Sequence, residues 1–410
     1  MHITLTGEWK KVIKKIIFVF VKYFEQKDWI IFDCPYYLKA GYEVEIWSLV
    51  HIQYDRELKE PKYLFRDNEV KYFNKVENFE SEIQRNDPKA TVFLLYPSLG
   101  ENTRTGYMIR RFIKKHGFRY CDYFFPPVLL SAYKEELSDI WSITRYYLRN
   151  IRNIDKLRQL FFSFLYPPEY VFIEARANVR QLANKYDVLN GHRLKYINTQ
   201  DYDRYLMEDM TTDVLFLEQE NLERDNYIVF VDQAFTHHSD IVNEGIKVAV
   251  TEDVYGKEIR QLFDLIERQT NMEIVVALHP KAEYLNDTIF GGRKMVHGET
   301  RKLIKYCSFV ICNSSTVISY IMLYKKDLLL YTTEQVKRAY IYIKEAQLAL
   351  AKFLECKVVN LSKKLPDNLL EKYVCTVDEL KRSKYLDEFV CSKYHNVKSS
   401  QIINKCVKNL

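Results

Sequence analysis

Glycine is the scarcest structural resource in this sequence. The chain has 11 glycines in 410 residues, where ordinary usage is ~7%. No set of them spells G-x-G-x-x-G or G-x-x-x-x-G-K-[ST]. That excludes the standard dinucleotide fingerprint and the phosphate loop of nucleoside-triphosphate enzymes. If phosphate binds, it binds without a glycine-rich cradle. Paired cysteine motifs are absent as well. The eight cysteines (34, 121, 307, 312, 356, 375, 391 and 406) form no C-x-x-C, so a zinc site of standard spacing is excluded and no metal is expected. Scattered single cysteines read as small buried hydrophobes in a reducing compartment. No apolar run approaches the ~18 residues of a membrane-spanning helix. Lys10, Lys11, Lys14 and Lys15 precede only a short apolar stretch, which does not make a secretion signal. The expected location is therefore the cytoplasm.

Charge of one sign is also in short supply. The 61 basic and 55 acidic residues leave a net +6. This falls short of a dedicated nucleic-acid binder and suits an anionic small ligand or an anionic membrane surface. Apolar residues at 47% and charged residues at 28% describe an ordinary globular chain, of a size that divides into two or three domains.

What is present is alternation. Strand signals at Ile16–Val21, Tyr42–Leu49 and Thr91–Tyr96 are interleaved with helical segments at Trp29–Ala40 and 103–116, the βαβ grammar of an open parallel sheet. Residues 51–88 read as a helix or hairpin, and 130–166 as a basic, aromatic, amphipathic helix. Short strands follow at Tyr170–Glu174 and Leu194–Ile197. After a polar crossover near 207–225 the grammar restarts: strands at Tyr227–Val231, Glu273–Leu278, Phe309–Cys312 and Leu328–Tyr331, and helices at Tyr255–Gln269, Thr300–Tyr306, Thr316–Lys325 and 334–354. The expected architecture is α/β, two Rossmann-like doubly wound domains facing a cleft. Residues 1–210 would form the first, 211–375 the second, and 376–410 a charged helical tail that crosses back, without an evident core pattern.

Two strand ends carry the chemistry. One strand runs into His279-Pro280-Lys281, and the next buried strand runs into Asn313-Ser314-Ser315-Thr316. In a parallel sheet both lie on the carboxyl edge, where ligands bind. Serine and threonine at the start of a helix offer backbone N–H groups and hydroxyls to phosphate; the same residues also serve as helix caps. His279 can donate to a phosphate oxygen.

The run His279-Pro280-Lys281 followed by NSSTVISYIMLYKKDLLLYTT (313–333) resembles the nucleotide-binding half of bacterial GT-B glycosyltransferases, in particular those using CMP-activated sugars: sialyltransferases, polysialyltransferases and capsule Kdo transferases. LKAGYEVEIWSL (38–49) and YINTQDYDRYL (196–206) are similar to further steps of that fold. The resemblance implies that His279, Ser314 and Ser315 contact the donor's CMP phosphate, with Pro280, Lys281, Asn313 and Thr316 around them. It implies an inverting, metal-independent transferase that needs no cofactor beyond its nucleotide-sugar donor. The acceptor would be a bacterial surface glycan or glycolipid, with peripheral contact to the inner membrane.

An inverting transfer needs a carboxylate base. Asp232, at the end of strand 227–231, is the candidate; the alternative is a turn aspartate. The acidic-pair-plus-glycine motif of the sialyltransferases is missing both there and at Glu252-Asp253. Adjacent His237 and His238 with Asp240 show no third-ligand pattern. Gly298 and Glu299 lie before helix 300–306, where a carboxylate can either accept from ribose hydroxyls or cap the helix. A UDP- or GDP-sugar donor satisfies the same phosphate chemistry. A non-catalytic scaffold docking at a membrane is the reading from another class.

Overall fold

The computed structural model describes residues 13–54, 64–65, 70–96, 104–124, 167–174, 193–236, 249–280, 282, 284, 287–392 and 396–410. Lys281, His237, His238, Asp240 and the amphipathic stretch 130–166 lie outside the described residues. The chain forms two units. The first comprises the described residues up to Phe124, those from 167 to Leu206, and Cys391–Leu410. The second comprises Met207–Val390.

The first unit is built on a sheet of β1 (Lys15–Phe20), β2 (Glu43–Ser48), β3 (Val70–Tyr72), β4 (Thr91–Leu95), β5 (Arg119–Phe124), β6 (Val171–Glu174) and β7 (Leu194–Ile197). Their order is β3-β2-β1-β4-β5-β6-β7, and every neighbouring pair is parallel. This is the doubly wound order, which reverses between β1 and β4. Because successive strand residues face opposite sides, β1 supplies both cores. Ile16, Phe18 and Phe20 enter one face. Ile17 and Val19 enter the other, against Ile109 and Ile113 of the helix Arg104–Lys115.

The second unit repeats the plan. β8 (Tyr227–Val231), β9 (Glu273–Leu278), β10 (Met295–His297), β11 (Phe309–Cys312), β12 (Asp327–Thr332) and β13 (Val358–Asn360) pair in the order β10-β9-β8-β11-β12-β13. The order reverses between β8 and β11. A two-residue β14 (Val374–Cys375) runs antiparallel on β12. Both units are therefore Rossmann-like α/β folds.

Several local expectations are corrected. The helix expected over Trp29–Ala40 is two helices, Gln26–Ile31 and Cys34–Lys39. Asp33 between them has φ 49, a left-handed conformation, and Pro35 sits in the first turn of the second helix. A proline there cannot bond back into a preceding helix. Residues 51–88 hold β3 and the helix Val76–Gln84 rather than a hairpin. The helix over 334–354 breaks at Tyr340. The three-residue strands β3, β10 and β13 are too short to show a period.

The tail does carry a core pattern. The helix Ser399–Val407 buries Ile402, Ile403, Cys406 and Val407 in the first unit's core, with Phe18, Ile46 and Leu94. Asn404 accepts from the Tyr42 hydroxyl at 2.9 Å, and Ser399 Oγ receives the Asn198 N–H at 3.0 Å. The cysteine expectation is corrected as well. Six cysteines are free and buried, but Cys356 and Cys375 form a disulfide, with Cα atoms 5.7 Å apart. A pairing made by folding the chain back onto β12 leaves no trace in spacing. Among the described residues, no helix is long and apolar enough to cross a membrane.

The docking of the C-terminal helix is directly testable. Ile403 is 2% exposed, so Ile403→Ala leaves a core cavity and costs about 2–5 kcal/mol. Exposed Lys405→Ala should stay within about 0.5 kcal/mol of wild type. Urea unfolding of the two variants checks this, and equal midpoints would show that the helix is not part of that core.

Candidate functional site

The second unit's switch point is framed by four adjacent strand ends. In order along the carboxyl edge these are His297-Gly298-Glu299 after β10, His279-Pro280 after β9, Asp232-Gln233 after β8, and Asn313-Ser314-Ser315 after β11. His297 is in register with Leu278, so Gly298 and Glu299 emerge beside the His279 turn. The strands themselves are buried runs of β-branched and aromatic residues, which fits a sheet covered on both faces.

Asp232 is 2% exposed. Its Oδ1 accepts the Ala234 N–H at 2.9 Å and the Tyr284 hydroxyl at 2.8 Å, and its Oδ2 accepts the His279 N–H at 3.2 Å. The first bond is an Asx turn. It bends the chain away from the sheet, and Ala234 takes up the left-handed φ of 49. Burial pushes the Asp232 carboxyl above its ordinary range, and the donated hydrogen bonds oppose that shift. Burial, and then the Asp232 charge, raise the Tyr284 phenol. A general base must reach its substrate's proton. Buried among three donors, this carboxylate holds its neighbours in place.

Gln233 faces the other way. Its Nε2 donates to the Ser314 carbonyl, and its Oε1 accepts the Ser314 N–H at 3.3 Å. Ser314 is 9% exposed and Ser315 half-buried. Asn313 is fully buried and donates to the Tyr331 carbonyl at 2.9 Å. Gln347 Nε2 donates to that same carbonyl at 2.6 Å and to the Asn313 carbonyl at 3.2 Å. The Asn313 amide nitrogen is therefore committed to the framework.

The expected helix start is corrected. The helix spans Ile318–Leu323 rather than Thr316–Lys325, and Val317 is its cap residue. Ser315 Oγ accepts the Val317 N–H at 3.4 Å and holds residues 315–317 in a turn. Ser314 and Ser315 thus act from a strand-end turn, and a helix dipole contributes little there. Thr316 is exposed, its carbonyl receiving the Ser319 N–H at 3.0 Å.

After β9 the chain turns at once: the Ala282 N–H donates to the His279 carbonyl at 2.9 Å, with Pro280 exposed in the turn. Gly298 has φ +81 with open space where a Cβ would lie, so conformation rather than crowding selects glycine. Glu299 precedes the helix Thr300–Tyr306 without capping it; its carboxylate pairs with Lys302 at 3.1 Å and is partly exposed.

That helix is anchored from behind. Buried Asp213 accepts from Arg301 at 2.8 Å and Lys305 at 2.7 Å, and Lys305 also reaches Glu208 at 2.6 Å. Burial alone would raise the Asp213 carboxyl; Lys305 and Arg301 outweigh it and leave the group below its ordinary range. Among the described residues, no group of three or more His, Cys, Asp or Glu side chains is gathered closely enough to hold a metal ion.

The edge thus brings together His279, Pro280, Gly298, Glu299, Asp232, Asn313, Ser314 and Ser315, with Thr316 just beyond. Sequence reasoning missed Gln233, Tyr284 and Gln347. For Gln233 a signal existed: an Asp-Gln pair directly after a five-residue buried strand.

No family model matches the sequence, and no curated protein matches it. Solved structures with a similar fold include the Anabaena protein HepE in complex with UDP, at 12% identity over 97% of this chain and 100% of that one, TM-score 0.47. UDP-GlcNAc 2-epimerase from Neisseria meningitidis bound to UDP-GlcNAc is similar at 10% identity over 96% and 99%, TM-score 0.47. A glycosyltransferase from Rickettsia africae is similar at 11% identity over 96% of each chain, TM-score 0.43.

A carboxyl held below its ordinary range stabilises the fold above that range, and the contribution is lost as pH falls through the folded-state value. Asp213→Asn should therefore lower the melting temperature at pH 7. The gap to wild type should shrink as pH drops below ~4, the ordinary aspartate value. Thermal melts from pH 7 to pH 3 decide this; a gap that is constant across the range would remove the Asp213 charge from the account.

Proposed function

We propose that this chain is a nucleotide-sugar-dependent glycosyltransferase of GT-B type. It transfers a nonulosonate- or Kdo-type sugar from a CMP-linked donor to a bacterial surface glycan or glycolipid. The observation that carries the reading is the meeting of the His279-Pro280 turn and the Ser314-Ser315 turn on either side of β8, at the point where the strand order reverses. Ligands in open parallel sheets bind outside the carboxyl ends at such points.

In this reading His279 and the Ser314-Ser315 turn hold the donor's phosphate. They stabilise CMP as it leaves, where negative charge builds up and prearranged donors lower the barrier. Lys281, next after Pro280 in the sequence, adds a cation. Glu299, beside Gly298, accepts from ribose hydroxyls. Catalysis proceeds by inversion without a metal, with a carboxylate taking the acceptor hydroxyl's proton. The phosphate contacts do not distinguish bases, so a UDP- or GDP-linked donor is the alternative. A glycolipid acceptor would bring the protein to the cytoplasmic face of the inner membrane.

Calorimetry with CMP tests the reading. Wild type should bind, and His279→Ala should weaken binding by roughly tenfold or more, the loss of one charge-assisted hydrogen bond. Unchanged affinity in the variant would sink the assignment. A thermal-shift panel of CMP, UDP and GDP separates the donor alternatives, the largest stabilisation marking the nucleotide.

A further inference from the structure

Inside the second sheet, β8 pairs with β11 at a fixed offset, Val229 with Val310 and Phe230 with Ile311. Gln233 and Ser314 keep that same offset of 81 residues. At this point, however, the rung is made by the Gln233 side chain, whose amide copies a peptide and meets both the N–H and the carbonyl of Ser314. On the other flank, the Asp232 N–H still bonds the Ala277 carbonyl at 3.0 Å. Two residues on, just past the end of β9, the Asp232 carboxylate takes the His279 N–H. Just past β8, side chains thus meet backbone groups at the ends of both neighbouring strands.

We propose that Asp232 and Gln233 are positioning residues that together set the span between His279 and Ser314. This deepens the donor-phosphate reading and rests on it. A side-chain rung lets two strand ends separate enough to admit a ligand while their backbone groups stay satisfied. Because both rungs spring from consecutive residues of one strand, the two phosphate turns are referenced to a single point. Tyr284 bonds the same carboxylate, and Tyr340 donates to the Phe235 carbonyl at 2.9 Å. Those contacts hold the dipeptide from beyond. The arrangement does the work of a glycine loop by another route: it keeps two sets of donors at a set distance without close backbone approach.

The test has two arms on the full-length chain. The first needs no ligand. In hydrogen–deuterium exchange, Gln233→Ala should speed exchange around Ser314 and leave the His279 turn unchanged. Asp232→Asn places an N–H against one of the donors that the carboxylate held, and should speed exchange around His279 and leave Ser314 unchanged. No local change in either variant would overturn the clasp.

The second arm compares CMP with cytidine by calorimetry. Each variant should lose roughly tenfold of the preference for CMP, the worth of one misplaced hydrogen bond, while cytidine affinity holds. An equal loss for both ligands, or a gain for CMP in Gln233→Ala, would overturn the positioning role. Should wild type bind no nucleotide, the donor reading fails, and with it the phosphate span; the exchange arm then decides the clasp alone. If Asp232→Asn does not fold, Gln233→Ala carries both arms.

Discussion

The candidate site depends on how one strand ends. β8 is central in its sheet, and the two residues just past its end, Asp232 and Gln233, satisfy backbone groups of both neighbours with side chains. A buried peptide group without a partner costs about as much as a lost hydrogen bond. Strand ends can therefore part only where something replaces the missing rungs. Here a carboxylate and a carboxamide replace them, and the site residues stand on the result. The His279 turn is fixed through its own N–H and the Ser314 turn through its whole peptide. The Asn313 end is tied to β12 through Tyr331 and Gln347.

A glycine cradle lets the backbone close directly on phosphate. In the second unit, Gly291, Gly292 and Gly298 have positive φ and sit at turns flanking β10, the edge strand of the sheet. A Cβ at Gly291 would press on Arg293 and Arg260, so this glycine answers to the unit's own packing rather than to a ligand.

Much of the fold was legible because burial on both faces writes long apolar strands. Ile16–Phe20, Thr91–Leu95, Tyr227–Val231 and Glu273–Leu278 all stand out as β-branched and aromatic runs, and they form strands with nearly those bounds. Edge strands of three residues carry no period and were missed. The C-terminal helix hid its core face for a different reason. Ile402, Ile403, Cys406 and Val407 find their partners in strands roughly 200 to 390 residues earlier, and no local pattern encodes such a contact. At the candidate site, His279, Ser314 and Asp232 lie at three neighbouring strand ends, as the alternation of strands and helices implies. Their roles depended on hydrogen-bond direction, which spacing does not record. Asp232 read as a base because it ends a strand, and its three donors could be seen only in the folded chain.

The central claim is that an anionic nucleotide sits on the carboxyl edge of β8, β9 and β11. A crystal structure of the full-length chain soaked with CMP tests it most directly. The account predicts the phosphate between the His279 turn and the Ser314-Ser315 turn, with the ribose toward Glu299. A nucleotide found on another edge of either sheet, with those turns empty, would contradict it.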